Sequence, residues 1–234
     1  WQGVFLANEV LDALTVERFC VEADGPRQMQ VTSGPAGFEW FKGDCPENMS
    51  DQIQSILSAK GYDLAPGYCS EINTSLSAWL AAVTGSLQRG LALFIDYGYT
   101  RRDYYMPQRN DGTLICHYQH RAHADPFKWP GLTDISASVD FTALAEAADA
   151  CGLEVNGYTT QAMFLMGSGL DEVLTGNESL DDRERLKMNN QVLRLTLPGE
   201  MGERFQAMAL SRGLAEELTD DLIGFSLGDI CHRL

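Results

Sequence analysis

An apolar run, Val4-Phe5-Leu6-Ala7, ends in Asn8 and Glu9, and Asp12 follows three residues later. A strand that only fills a core ends in a turn of Gly, Pro or Ser. This one ends in an amide and two acids, which are groups that bind something. A second apolar run, Gly90-Leu-Ala-Leu-Phe-Ile95, stops in the same way on Asp96, followed by Tyr97-Gly98-Tyr99. Acids at the ends of two buried strands that can lie side by side make a candidate paired-acid site.

The elements that must position these residues follow from hydrophobic periodicity. Gly3 to Asn8 is short and apolar throughout, which predicts a fully buried strand of a parallel sheet. Val16 to Glu22, Arg27 to Ser33 and Ala36 to Lys42 alternate with period two. Asp24-Gly25-Pro26 and Ser33-Gly34-Pro35 separate them, so an antiparallel meander over about 16–45 is expected. A helix capped by Ser50 carries Ile53, Ile56 and Leu57 and closes at Gly61. A longer helix runs from about Glu71 to Gln88 along a stripe of Ile72, Leu76, Trp79, Leu80, Val83 and Leu87. Gly90 to Asp96 is the second buried strand. The stretch from about 100 to 138 is polar and holds Pro107, Pro126 and Pro130, which reads as a long lid-like loop. Beyond it come a helix after Asp140, a strand over 153–158, helices over 161–166 and 181–195, and a last strand over 204–210. The tail from Glu216 carries no clear pattern. Internal repeats and a second domain are not evident. The order is that of an α/β sheet, in which ligands bind at the carboxyl ends of the strands.

Bulk properties exclude several classes. The chain has 234 residues, 44% hydrophobic and 21% charged, which is globular composition. No apolar run reaches the roughly 18 residues of a membrane span. Its net charge is -16, from 33 acids and 17 bases, against the basic footprint that nucleic-acid binding requires. Six cysteines lie scattered, none in a C-x-x-C pair, which predicts reduced and mostly buried thiols of a cytosolic-type protein. His117, His120, His123 and Asp125 invite a metal reading. However, Thr113 to His120 is strand-like, which sends His117 and His120 to opposite faces, and H-E-x-x-H is absent, so no metal is expected. The chain begins at Trp1 rather than Met, which suggests a fragment or processed product.

Five segments carry a resemblance in order along the chain: Ala7-Asn-Glu-Val-Leu-Asp-Ala-Leu14, Ile95-Asp-Tyr-Gly-Tyr99, Gly112-Thr-Leu with Tyr118-Gln-His120, Asp134-Ile-Ser-Ala-Ser-Val-Asp-Phe141 and Met201-Gly-Glu-Arg-Phe205. Together they resemble the MidA-like S-adenosylmethionine-dependent methyltransferases, the family of the mitochondrial complex I assembly methyltransferase and its bacterial relatives. The resemblance implies the back half of a Rossmann-like class I methyltransferase sheet, with an antiparallel β-rich insertion and a long lid-like loop. The strand at Gly3-Val4 would be about the fourth of that sheet. The glycine-rich loop of the type E-x-G-P-G that cradles the methyl donor, and the acid that holds its ribose, are not found in this sequence. The main binding loop for S-adenosylmethionine is therefore expected outside this chain, and the chain alone is expected to be inactive. Two positions depart from the family pattern: Thr15 stands where Pro is usual, and Ser138 where His or Asp is usual.

The resemblance also implies a protein arginine as methyl acceptor, on a partner such as a respiratory-complex subunit. A carboxylate grips a guanidinium through two parallel N–H···O bonds. Glu9 is the expected clamp, with Asn8 orienting the clamp or the amine. Asp12 either shares a helical face with Glu9 or caps a helix. Glu71 matches a family acid and is either a second carboxylate or a first-turn acid favoured by the helix dipole. Asp96 either contacts substrate or bonds the N–H groups of its loop. Tyr97 and Tyr99 either wall the acceptor pocket or pack, and His120 is expected to hydrogen-bond in the site. The expected location is the cytoplasm of a bacterium, or the mitochondrial matrix in eukaryotic relatives. The competing class is a non-catalytic assembly or binding module that retains the back half of the fold. Retention of Asn8, Glu9 and Asp12 favours the enzyme, and the missing glycine-rich loop favours the module.

Overall fold

A computed structural model describes residues 1–59, 64–119, 121–175, 181–219 and 222–234. The chain opens with β1 (Gln2–Asn8), then the strands β2 (Glu17–Glu22), β3 (Gly25–Gly34) and β4 (Gly37–Asp44). Helix α1 (Glu47–Ala59), strand β5 (Cys69–Ile72), helix α2 (Leu76–Thr84) and strand β6 (Arg89–Tyr99) follow. Next come α3 (Arg101–Tyr104), β7 (Ile115–Tyr118), β8 (Arg121–His123), β9 (Asp134–Ser136) and the two-residue β10 (Val139–Asp140). The last part holds α4 (Phe141–Ala150), β11 (Glu154–Thr160), α5 (Gln161–Gly167), α6 (Leu170–Thr175), α7 (Asp182–Thr196), α8 (Met201–Arg204), β12 (Phe205–Arg212) and α9 (Glu216–Thr219).

Two compact units result. The first takes Trp1–Val10, Ser77–Tyr99 and Phe141–Leu234, and the second takes Leu11–Leu76 and Thr100–Asp140. In the first, the strands run in the order β1-β6-β12-β11. β1 pairs parallel with β6, placing Asn8 opposite Ile95, and β12 runs antiparallel to both β6 and β11. The two buried strands expected as neighbours are neighbours. Gly3 and Gly90 face one another in this pairing, and a Cβ on Gly90 would come 1.9 Å from the Gly3 carbonyl oxygen, so the close approach needs glycine.

Alternation assigns the two faces. Phe94 on β6 meets Phe5 of β1 at 5.8 Å between ring centroids and Trp79 of α2 at 6.3 Å. On the other face Ala207 and Ala209 of β12 pack with Leu93, Ile95, Phe164 and Phe225. The tail from Glu216, which showed no pattern in the sequence, supplies Phe225 to that core. Its Asp229 also accepts the backbone N–H groups of Tyr158 and Cys231 at 3.0 and 3.1 Å. Gly157 leaves the space that the Phe225 ring fills. Arg212, at the end of β12, donates to the carbonyls of Thr84 and Leu87 at 2.9 and 3.2 Å and to that of Cys151. Its charge therefore lies against the carbonyl-rich ends of α2 and α4. α7 starts as expected, with Asp181 and Glu184 forming a reciprocal capping box.

One expectation for this unit fails. β1 is not fully buried: Val4 is 71% and Leu6 63% exposed. β1 ends the strand order, and among the described residues the layer that covers Leu93 and Ile95 on this face does not extend over these two side chains. Only Ala7, facing the Phe94 side, is deeply buried.

The second unit gathers what the sequence separated. The meander is real: β4-β3-β2-β5 form an antiparallel sheet whose fourth member, β5, lies where a helix start was expected. The residues Cys69–Ile72 extend because they pair with β2, and α2 begins only at Leu76. The stretch 100–138 is not a bare loop. It folds into α3 and the antiparallel sheet β8-β7-β9. α1 starts at Glu47, so Ser50 sits inside it rather than at its cap, and Gly61 lies outside the described residues. The cysteines also differ from expectation. Cys20 and Cys69 stand directly opposite in the β2–β5 pair and form a disulfide, leaving Cys45, Cys116, Cys151 and Cys231 free. The sequence hides this bond because the two are brought together only by strand register. Of the four histidines, His123 is held edge-on to Trp129 at 5.7 Å, and His120 lies outside the described residues.

Candidate functional site

At the carboxyl ends of β1 and β6 the first unit places Asn8, Glu9, Asp96 and Tyr97 together. Glu9 leaves the sheet with φ at +51°, in the left-handed region that a non-glycine residue adopts only when its surroundings impose it. The imposing contacts are identifiable. The Glu9 N–H donates to the Ile95 carbonyl at 2.9 Å, which keeps the last rung of the parallel ladder. The next N–H, that of Val10, donates to Asp96 Oδ2 at 3.1 Å. The other oxygen of Asp96 accepts the Tyr97 N–H at 2.9 Å. Asp96 is 1% exposed and bonds the backbone that turns Glu9 outward, which is the loop-bonding contact among its two expected roles. We expect Asp96→Asn to cost about 1–2 kcal/mol, because a buried charged acceptor bonded to two N–H groups is replaced by a neutral one with a donor beside them. Chemical denaturation of the variant measures this.

The Glu9 carboxylate, by contrast, is exposed, and Asn8 Nδ2 donates to its Oε1 at 3.3 Å. This amide steadies one oxygen and leaves the other available to a ligand. Tyr97 and Tyr99 lie on the opposite face of β6 from Asp96, and the Tyr97 ring packs edge-on against Phe205 at 5.6 Å. Packing is therefore a demonstrated role of Tyr97.

Asp12 and Glu71 belong to the second unit. Asp12 sits in a turn closed by the Leu14 N–H on the Leu11 carbonyl, so it neither shares a helical face with Glu9 nor caps a helix. Glu71 is on β5 and not in a first helical turn. It is 0% exposed and accepts the Thr113 N–H at 2.7 Å and the Thr113 hydroxyl at 3.2 Å. Arg18, its partner across the β2–β5 pair, reaches its Oε1 at 3.4 Å and also bonds Asp111. The Tyr105 hydroxyl donates to the Glu71 carbonyl at 3.1 Å. Burial pushes the Glu71 carboxyl above its usual range, against the opposing pull of the Thr113 N–H and the Arg18 charge. The same burial, with Glu71 nearby, raises the Tyr104 phenol. Gly112 is required beside this acid, since its φ is +76° and a Cβ would meet both carboxylate oxygens at 2.4 Å. Glu71 thus already grips an arginine, the chain's own. Sequence reasoning missed Arg18 as its partner, and only Gly112-Thr113, within a quoted segment, carried any signal of this cluster.

Residues 1–159 match a family described as "Putative S-adenosyl-L-methionine-dependent methyltransferase". The chain belongs to this family. It is similar to the "Protein arginine methyltransferase NDUFAF7, mitochondrial" of Danio rerio, 28% identical over 87% of this chain and 46% of that protein. It is also similar to the NDUFAF7 homolog of Drosophila melanogaster, named a mitochondrial protein arginine methyltransferase, 30% identical over 96% of this chain and 51% of that one. A COG1565 superfamily member from Burkholderia thailandensis, solved bound to S-adenosyl-homocysteine, superposes with a TM-score of 0.91. It is 38% identical and covers 100% of this chain and 58% of that one. The chain therefore spans about half the length of the curated relatives it matches. The family and the superposed structure give this α/β chain a Rossmann-like methyltransferase fold, and the family is S-adenosylmethionine-dependent. Among the described residues no helix is long and apolar enough to cross a membrane.

Proposed function

We propose that this chain carries the acceptor side of a protein arginine N-methyltransferase. The observation that supports it most is the exposed Glu9 carboxylate, turned out of β1 by a left-handed residue over a buried aspartate. A strained non-glycine backbone persists where the surrounding structure over-determines it, and such positions cluster at active sites. The names of the NDUFAF7 relatives support arginine as the acceptor.

The donor supplies a methyl group on a sulfonium, so the S–CH3 bond breaks as a N–CH3 bond forms and the nitrogen then loses a proton. This chain's residues act on the guanidinium. Glu9 accepts two of its N–H groups and draws the positive charge toward one side. The remaining nitrogen is thereby oriented with its lone pair free. Asn8 keeps the carboxylate in the plane needed for a forked contact. The rate gain comes from orientation and electrostatics. A respiratory-complex subunit as the methylated protein, and a mitochondrial or bacterial cytoplasmic setting, belong to the same reading. Tyr97 and Tyr99 are wall residues of the acceptor pocket in the same reading.

No residue of this chain is assigned to the donor. The sequence has no glycine-rich loop of the donor-cradling type, and the described strand ends offer acids rather than a backbone cradle. We expect calorimetric titration of S-adenosylmethionine to show tight binding to the whole enzyme and none to these 234 residues alone. Tight binding by the chain alone would place the donor site within it. Transfer of a labelled methyl group from donor to arginine in a protein acceptor, read by mass spectrometry, tests the activity. Its complete absence from the whole enzyme favours the non-catalytic assembly module.

A further inference from the structure

The disulfide between Cys20 of β2 and Cys69 of β5 has no part in the roles above. The Cys69 N–H donates away from β2, to the Asn110 carbonyl at 3.0 Å. Beside it the Val21 N–H donates to the Tyr68 carbonyl at 2.8 Å and carries the link between the two strands. Cys20 and Cys69 are therefore a non-hydrogen-bonded pair, the kind in which facing side chains lie closest. The sulfur bond adds a cross-link between strands that hydrogen bonds already join. Breaking it keeps the two thiols within reach of each other, because two residues along each strand, on the same face, Arg18 still meets Glu71 at 3.4 Å. The other edge of β5 is held as well, by the Asn110 carbonyl and by Thr113, which donates to the Glu71 carboxylate.

Two further observations set this bond apart from a permanent staple. Of the six cysteines, Cys45, Cys116, Cys151 and Cys231 are free, and only Cys116 among these is buried. Secreted disulfide scaffolds pair their thiols. A chain that leaves three half-buried thiols free fits a reducing environment, where the bonds that do form are transient, catalytic or redox-sensing. The two bonded sulfurs also differ in access. Cys20 is 0% exposed, whereas Cys69 is partly exposed at the start of β5. Thiol exchange needs a thiolate to reach one sulfur of the bond, so access selects Cys69.

We propose that Cys20–Cys69 is a reversible modification site at which Cys69 exchanges with a small-molecule thiol of the glutathione class. The state of the bond sets how firmly β5, and Glu71 with it, is held to β2. The thiolate of one such molecule attacks Cys69 Sγ, the S–S bond breaks, and Cys20 leaves as a thiolate that takes up a proton. A second thiolate attacks the small-molecule sulfur of the mixed disulfide and releases Cys69 as its thiolate. Two electrons thus pass to the protein, and the two small thiols leave as their own disulfide. Oxidation by that disulfide runs the same steps in reverse. Reduction removes a closure that spans 49 residues of chain, and the strand ladder with the Arg18–Glu71 pair is then what ties β5 to β2.

The test equilibrates the whole, folded protein in glutathione buffers from fully reduced to fully oxidised. Thiols are trapped with N-ethylmaleimide under denaturing conditions, and the Cys20 and Cys69 peptides are read by mass spectrometry. Both should be alkylated together in the reduced buffers and bonded together in the oxidised ones. A bond intact in every buffer is a permanent staple and overturns the proposal, as do cysteines that stay unpaired in every buffer. In glutathione disulfide, Cys20→Ser should take up glutathione at Cys69 about tenfold faster or more than Cys69→Ser takes it up at Cys20. Equal rates refute Cys69 as the entry sulfur. The wild type in its two states gives a readout that needs no variant. Reduction should lower the melting temperature by about 5 °C or more and speed hydrogen exchange over 69–72 and 110–113 by about tenfold or more, with far-ultraviolet dichroism unchanged. Identical melting and exchange in the two states refute any hold of the bond on β5. None of these readouts uses methyl transfer, so their failure leaves the methyltransferase reading intact.

Discussion

Glu9→Gln in the whole enzyme is expected to lower methyl transfer by about 100-fold or more while leaving donor affinity nearly unchanged. Losing one partner of a desolvated, hydrogen-bonded charge pair costs about 2–5 kcal/mol, and each 1.4 kcal/mol is tenfold in rate. The glutamine keeps the shape of the side chain and its contact with Asn8. It replaces an oxygen that accepts from the guanidinium with an amine that opposes it. A companion variant separates the carboxylate from its strained backbone. Glycine accepts φ near +51° without cost, so Glu9→Gly should fold at least as stably as the wild type and be equally inactive. Steady-state kinetics with donor and acceptor varied independently, together with thermal melting, measures both variants. Undiminished transfer in Glu9→Gln would remove Glu9 from the chemistry.

The second large effect is on stability. Glu71→Ala is expected to destabilise the second unit by about 3 kcal/mol or more, since it strands the Thr113 N–H and removes one of the two acids on a largely buried arginine. Glu71→Gln should cost distinctly less. Burial already raises the Glu71 carboxyl, so its ionisation is opposed in the fold, and the amide oxygen can still accept from Thr113. Urea unfolding of the two variants gives the comparison. If Glu71→Ala unfolds like the wild type, the acid is not the structural centre that its contacts describe. Loss of methyl transfer in a Glu71→Gln protein of near-normal stability would restore it to the acceptor site.

Local pattern fixed more of this protein than its acidic, motif-poor composition suggests. The two strands that carry Asn8 and Asp96, their parallel pairing, the meander over 17–44 and the helix after Asp181 all follow from hydrophobic periodicity, although β6 runs past Asp96 to Tyr99. These are short-range properties, set by each residue's φ/ψ preferences and by which face of an element must be apolar. The family, too, was written in short ordered segments.

Whatever required two distant segments to meet was decided only in three dimensions. Glu71 read as the start of a helix because the stripe beyond it is helical; pairing with β2 made it a strand residue and supplied Arg18. The same pairing joined Cys20 to Cys69. The 100–138 stretch read as a loop because its strands are three or four residues long, too short to show a period until β7 pairs on both sides. β1 read as buried from its composition, yet burial depends on what lies against a face, and an end strand keeps Val4 and Leu6 exposed. The sequence alone determined that a strand delivers Asn8 and Glu9 to the carboxyl end of the sheet. Tertiary structure alone decided that Asp96 turns Glu9 outward and that Glu71 is consumed internally, because register and burial are properties of pairs of segments and not of either segment by itself.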